Sequence, residues 1–118
     1  LTAASTIGLS QLQAIFRLRS SGDEIRALVQ LGREYTLANK DSATFGVSLQ
    51  SGTFKLLKNS AELSRYQIPP GIVTDPLSIA WSFYPVTGKL SGCMPCQIKL
   101  SSLGNFEIIN ISDNGMVY

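Results

Sequence analysis

The hydrophobic period of this chain changes abruptly near residue 40, and that change limits the possible folds more than any other feature. From Ser10 to Asn39 there is no proline, and Ile15, Leu18, Ile25, Leu28, Val29, Gly32, Tyr35 and Thr36 fall near one helical face. Apolar residues three and four apart are the mark of an amphipathic helix. Beyond residue 40 short alternating runs broken by Gly and Pro take over, and 44–49, 53–58, 65–68, 77–83, 97–100 and 106–111 read as strands. The pattern predicts an α+β fold: a long N-terminal α-helix packed on antiparallel β-sheets. Residues 1–118 make a single domain, 1–40 the helix and 41–118 the β body; this length supports one modest core and not two. A helix that long buries its stripe on the sheet and has length left over at its N-terminal end.

Local signals sharpen this outline. Ser5 and Ser10 are both competent N-caps, so the helix is expected to begin between them. Ser20-Ser21-Gly22 interrupts it, and a helical Gly costs about 1 kcal/mol relative to Ala. Because Asp23-Glu24-Ile25-Arg26 resumes in register, one continuous, bent helix is expected; the alternative is two helices meeting at Gly22 with Ser21 capping the second. Gly32 on the buried face implies close approach to something flat, and Asn39-Lys40-Asp41 ends the helix. Gln50-Ser51-Gly52 reads as a three-residue hairpin loop, with Phe45, Val47 and Leu49 facing the helix. A polar connection is expected over 59–64, then a firm break at Pro69-Pro70-Gly71, which cannot supply a full set of ladder donors. Asp75-Pro76, the stretch from Pro85 to Gly88 and that from Ser102 to Asn105 are turns. Asp113-Asn114-Gly115 is a strong hairpin signal before a brief final strand over 116–118.

Composition narrows the chemistry. Ten basic and eight acidic residues leave a formal charge of +2, and charged residues are only 15% of the chain. The basic residues are scattered singly, whereas binding by phosphate neutralisation generally uses a clustered basic face. The chain has no histidine, which removes the commonest general base and metal ligand and makes a Ser-His-Asp arrangement impossible. The few carboxylates form no recognisable hydrolase pair. These features argue against an enzyme and give no site for a cofactor or metal.

Three segments invite functional readings. Leu1 to Phe16 carries Ile7, Leu9, Leu12, Ile15 and Phe16 among small and polar residues, without one charge. It is too short and too mixed to span a bilayer. It reads either as the last turns of a membrane-inserted helix whose apolar beginning is missing, or as an ordinary helix in an apolar groove. The opening on Leu rather than Met points to a processed or trimmed chain. Cys93-Met94-Pro95-Cys96 admits a local disulfide, free thiols, or a redox or metal role; it lacks the βαβ setting of a redox motif and the further ligands of a zinc site. An exported protein suits the disulfide. Trp81, with Phe83 and Tyr84, is read as strand core rather than a binding platform, and Tyr35 and Thr36 as sheet contacts. Lys55 and Lys58 are read as guards on an edge hairpin.

The order of parts, with several local patterns, resembles the type IV pilin-like minor subunits, in particular type II secretion minor pseudopilin H and the fimbrial T kind of minor pilin. Gly32-Arg33-Glu34-Tyr35-Thr36 is similar to the family's Ala-Arg-x-x-Ala helix pattern, with Gly and Thr at the Ala positions. Phe83-Tyr84-Pro85-Val86-Thr87-Gly88 resembles its strand end, and Gln97-Ile98-Lys99-Leu100 its next strand. Phe106 to Ile111 followed by Asn114-Gly115-Met116-Val117 resembles its closing hairpin, and Leu1-Thr2-Ala3-Ala4 the later part of its N-terminal helix. The resemblance implies a non-enzymatic subunit of a secretion pseudopilus or pilus, without cofactor or small-molecule substrate. It would be held in the cell inner membrane with an extracytoplasmic domain, in the periplasm or on a surface filament. It implies Ile7, Leu9, Leu12, Ile15 and Phe16 as the assembly surface toward other pilin or pseudopilin subunits. An inner-membrane assembly platform is a further partner, with secreted cargo or DNA as additional ones. The alternatives are a DNA- or surface-binding minor pilin and a small exported redox protein using Cys93 and Cys96.

Overall fold

The computed structural model describes residues 2–38, 42–85, 87–93, 96–112 and 116–118, with side chains from residue 11 onward. One helix, α1 (Thr2–Leu37), precedes β1 (Phe45–Gln50), β2 (Thr53–Lys58), β3 (Ala61–Gln67), β4 (Val73–Asp75), β5 (Ile79–Phe83), β6 (Leu90–Ser91), β7 (Cys96–Ser102) and β8 (Asn105–Ile111). The helix starts earlier than the two serine caps suggested: Ser5 and Ser10 both lie inside it, since Thr2-Ala3-Ala4 offers no breaker to stop it. It also runs through Ser20-Ser21-Gly22 without interruption, so Ser21 is not a cap. The expected stop at Asn39-Lys40-Asp41 lies outside the described residues, as does the turn at Asp113-Asn114-Gly115.

Two antiparallel sheets follow. The larger has the order β3-β2-β1-β5-β6 and the smaller β4-β7-β8. The chain leaves the large sheet after β3 to lay β4 on the small one. It then returns for β5 and β6 before finishing in β7 and β8. Strands β4 and β6, of three and two residues, have no alternating run long enough to be read from sequence. The segment expected as a polar connection over 59–64 is instead a tight turn and the start of β3, paired as Lys58↔Ala61. Lys55 and Lys58 therefore sit on an interior strand, with β3 as the true edge.

Three hairpins are closed by two-residue turns. Gln50 pairs with Thr53, Lys58 with Ala61 and Ser102 with Asn105. The residues between have positive φ: Ser51 and Gly52 at 52° and 77°, Asn59 and Ser60 at 52° and 67°, Leu103 and Gly104 at 50° and 79°. That is the type I′ geometry whose twist matches paired strands, and it is why the first loop is one residue shorter than expected. The final segment returns along β8, with Asn110 and Tyr118 exchanging N–H···O bonds and a bridge between Ile111 and Val117.

The core lies where α1 crosses both sheets. Leu18, Ile25, Leu28 and Val29 from the helix meet Phe45, Val47, Leu49, Phe54, Leu56, Trp81 and Phe83 from the large sheet and Ile98, Leu100 and Ile109 from the small one. Gly32 sets how close they come: a Cβ there would stand 2.7 Å from Phe83 Cε2 and 2.8 Å from Leu56 Cδ1. Gly46 does the same within the sheet, 2.7 Å from the Trp81 carbonyl.

Candidate functional site

A helix rises about 1.5 Å per residue, so the 36 residues of α1 span roughly 54 Å. The longest strands have seven residues, roughly 23 Å. The molecule measures 59 × 25 × 21 Å, so its long axis is the helix and the β body covers only part of it. Among the described residues, Ala14 is the first buried residue of α1 and Leu18 the first that joins the main core cluster.

Ahead of Leu18 two large apolar side chains face outward. Leu12 is 50% and Phe16 62% exposed, while Ala14 is buried and Ile15 half-buried. Leu12 and Phe16 are four residues apart, so they stand on one face, a turn from each other. Two of the residues marked out by the resemblance are thus joined in an open apolar patch, and Ile15 turns toward the body. The side chains of Ile7 and Leu9 lie outside the described residues. Among the described residues no helix is long and apolar enough to cross a membrane.

Farther along α1, roughly 15 Å from Phe16, a polar clamp ties the helix to the β body. Arg26 Nη2 donates to Glu107 Oε1 at 2.7 Å and to the Ile108 carbonyl at 2.9 Å, while Nη1 reaches Asp23 Oδ1 at 3.3 Å. The guanidinium and the Glu107 carboxylate are 22% and 24% exposed, and a charge-assisted pair this sheltered outweighs a surface pair. Gly22 makes room for it, since a Cβ at that position would lie 2.8 Å from Glu107 Cγ. Ser21, fully buried, shares a 2.9 Å hydrogen bond with the Tyr66 hydroxyl on β3. The two residues that interrupt the helical pattern are thus the points where β8 and β3 lock onto α1. Neither Arg26–Glu107 nor Ser21–Tyr66 was visible in sequence, because 81 and 45 positions separate the partners.

Elsewhere the chemistry is structural. The sulfurs of Cys93 and Cys96 are bonded, with Cα atoms 4.9 Å apart, and both residues pack against the core where the chain passes from β6 to β7. Trp81 is 7% exposed and belongs to the core. The Tyr35 ring stacks obliquely on Phe45 at 5.5 Å, and Thr36 donates to the Gly32 carbonyl one turn back. Lys55 lies 3.8 Å from Glu62 of the edge strand. Among the described residues no three His, Cys, Asp or Glu side chains converge as metal ligands would. A depression on the outer face of the large sheet is floored by Gly46, Ala80 and Ser82.

This architecture matches a known one. The fold is similar to that of the type IV minor pilin FimU of Pseudomonas aeruginosa strain PAO1, seen in a crystal structure, with a TM-score of 0.67 over 86% of each chain at 14% identity. The chain therefore has the pilin-like α+β fold. No protein-family model and no curated protein sequence matches it.

Proposed function

We propose that this chain is a non-enzymatic minor subunit of a type IV pilin-like filament, and that the leading part of α1 is its polymerisation surface. The observation that carries the reading is the pair Leu12 and Phe16, exposed on a helix that outruns the β body. Leaving such side chains in water forgoes roughly 1.5–3 kcal/mol each relative to full burial. Packing against the same region of neighbouring helices recovers it. The likeness of fold to a minor pilin supports this reading, as does a β body whose polar ties serve to hold the helix rather than a ligand. In this reading the subunit is exported and held at the inner membrane by its helix before assembly, and the β body faces outward. Its partners are other pilin or pseudopilin subunits and the assembly platform; pseudopilus and pilus are both compatible with this surface.

Cysteine crosslinking tests the proposal. Single cysteines replacing Leu12 or Phe16 in the native subunit should crosslink to the helices of co-expressed pilin or pseudopilin subunits, and the same substitution at exposed Arg65 on β3 should not. Crosslinking from Arg65 alone would reverse the orientation of the subunit and defeat the proposal. Upstream coding sequence provides an independent check: an apolar run should precede Leu1, with a Glu five residues into the mature chain.

A further inference from the structure

The chain's first charges come in a narrow band. No residue from Leu1 to Phe16 is charged; Arg17 and Arg19 follow, and the first acid is Asp23, roughly 9 Å farther along the axis from Arg17. Both arginines are exposed. Two positions apart on a helix they point about 200° away from each other, so they form a collar rather than a patch. Among the described residues neither is within salt-bridge distance of a carboxylate. Glu107, which lines the same groove as Arg19, is already held by Arg26.

The β7–β8 turn reaches the same level. Gly104, Asn105 and Phe106 line one groove with Ile15, Leu18 and Arg19, and the turn presents Leu103 at 65% and Phe106 at 60% exposure. Lys99 stands 4.7 Å above the Phe106 ring, adding a third positive charge. Leu103 is out of place by local rules. The other two I′ turns begin with Ser51 and Asn59, whereas this one holds a leucine at φ 50°, a region that bulky side chains avoid. A strained, exposed leucine at the tip, beside an exposed Phe and basic residues, is the composition of a membrane–water boundary.

From this juxtaposition we infer that the collar of Arg17 and Arg19, with the Leu103 turn, docks on an anionic phospholipid surface. The guanidinium groups take headgroup phosphates while Leu103 and Phe16 enter the interface. The inference rests on the proposed function in one respect: the helix ahead of the collar lies among lipids before assembly. Docking here fixes how deep the subunit sits and orients the β body against the bilayer.

Vesicle flotation of the 118-residue chain tests it, with phosphatidylcholine alone and an equal mixture of phosphatidylcholine and phosphatidylglycerol. The chain should float with the anionic vesicles, and binding should weaken with added salt as the surface potential is screened. The double variant R17Q/R19Q should bind about 30-fold less tightly, roughly 5-fold per arginine, which is the weight of one basic residue near such a surface. Leu103→Asn suits the turn better than leucine, so it should fold normally and still lose binding a few-fold. Equal binding to neutral vesicles, or wild-type binding by R17Q/R19Q, overturns the inference. Displacement by inorganic phosphate would reveal an ion site instead, and preference for duplex DNA at the same salt a nucleic-acid surface; either result overturns it too. The two readings separate cleanly: R17Q/R19Q bears on lipid binding, and crosslinking from residues 12 and 16 bears on assembly.

Discussion

From Leu18 to Thr36, α1 keeps its stripe inside, with Leu18, Ile25, Leu28 and Val29 each no more than 9% exposed and Gly32 pressed on two side chains of the large sheet. Two positions ahead of Leu18, a little over half a turn, the same helix turns Phe16 outward, and Leu12 a turn before that. The trailing half satisfies its hydrophobic residues within the chain. The leading half does not, although the sequence marks both with the same kind of residue. The difference lies in facing as well as reach: Ala14 and Ile15, on the side of Leu18, are buried and half-buried, whereas Phe16 stands about 200° round the helix from Leu18, away from the β body, and Leu12 lies a turn before it. Amphipathicity thus identifies what a helix wants to bury, and the face and length that its partner covers decide whether a second molecule must supply the rest.

The sharpest way to break this contrast is to truncate one residue in each half. Ile25→Ala removes a fully buried side chain of the core and should cost about 2–5 kcal/mol of unfolding free energy. The double variant L12S/F16S should stay within about 0.5 kcal/mol of wild type and yet lose crosslinking to neighbouring subunits. Denaturant titration measures both variants. A large stability loss in L12S/F16S would mean that those side chains are covered by their own chain, and the contrast would vanish.

Gly32→Val probes how tightly the trailing half is seated. The new side chain begins 2.7 Å from Phe83 Cε2 and 2.8 Å from Leu56 Cδ1, so those buried side chains must shift or helix and sheet must part. Overpacking of this kind costs about 1–3 kcal/mol, to which valine's better helix propensity gives back only a few tenths. A stable G32V with unchanged chemical shifts on β2 and β5 would show a looser fit than the one described.

How much of this could be read from the residues alone depended on whether the signal was local. The helix, its buried stripe and the close approach at Gly32 follow from spacing within a few turns, and they were legible. So was the Trp81 face of β5, where Ile79, Trp81 and Phe83 alternate without interruption. Strands β4 and β6 were not, because three and two residues carry no period and owe their conformation to the neighbours they pair with. The start of β3 was missed for a related reason. Asn59-Ser60 looks like the opening of a loop, but both residues accept positive φ and close a turn in two. For the candidate site, Leu12 and Phe16 were legible as apolar residues in an uncharged segment; their exposure was not, since it depends on which face of the helix the β body covers and how far it reaches. Ser21, Gly22 and Arg26 carried a visible signal, an interruption of good helical sequence, whose meaning required the distant Tyr66 and Glu107.

Arg26→Met tests the clamp that ties the trailing half of α1 to β8. It retains the length and the apolar stem but leaves Glu107 sheltered without its cation and the Ile108 carbonyl without its donor. The loss should be about 1–2 kcal/mol, with amide exchange of β8 quickening more than that of β1. Uniform quickening would mean that the clamp stabilises the whole core and not the seating of the small sheet.

The smallest expected effect is also the most discriminating. Gly22→Ala, at an ordinary site in mid-helix, stabilises by about 1 kcal/mol because alanine has less backbone freedom to lose. Here the added methyl would sit 2.8 Å from Glu107 Cγ and 3.1 Å from Arg26 Nη1, and Cγ is too near the β8 backbone to swing aside freely. The propensity gain and the displaced clamp should cancel, leaving a change between zero and a loss of about 1 kcal/mol. Pairing the variant with Arg26→Met separates the terms: once the clamp is gone, the alanine should recover part of its normal benefit. A full gain from G22A in the wild-type background would place the β7–β8 hairpin farther from the helix. The boundary between covered and uncovered helix would then move from Leu18 toward Ile25.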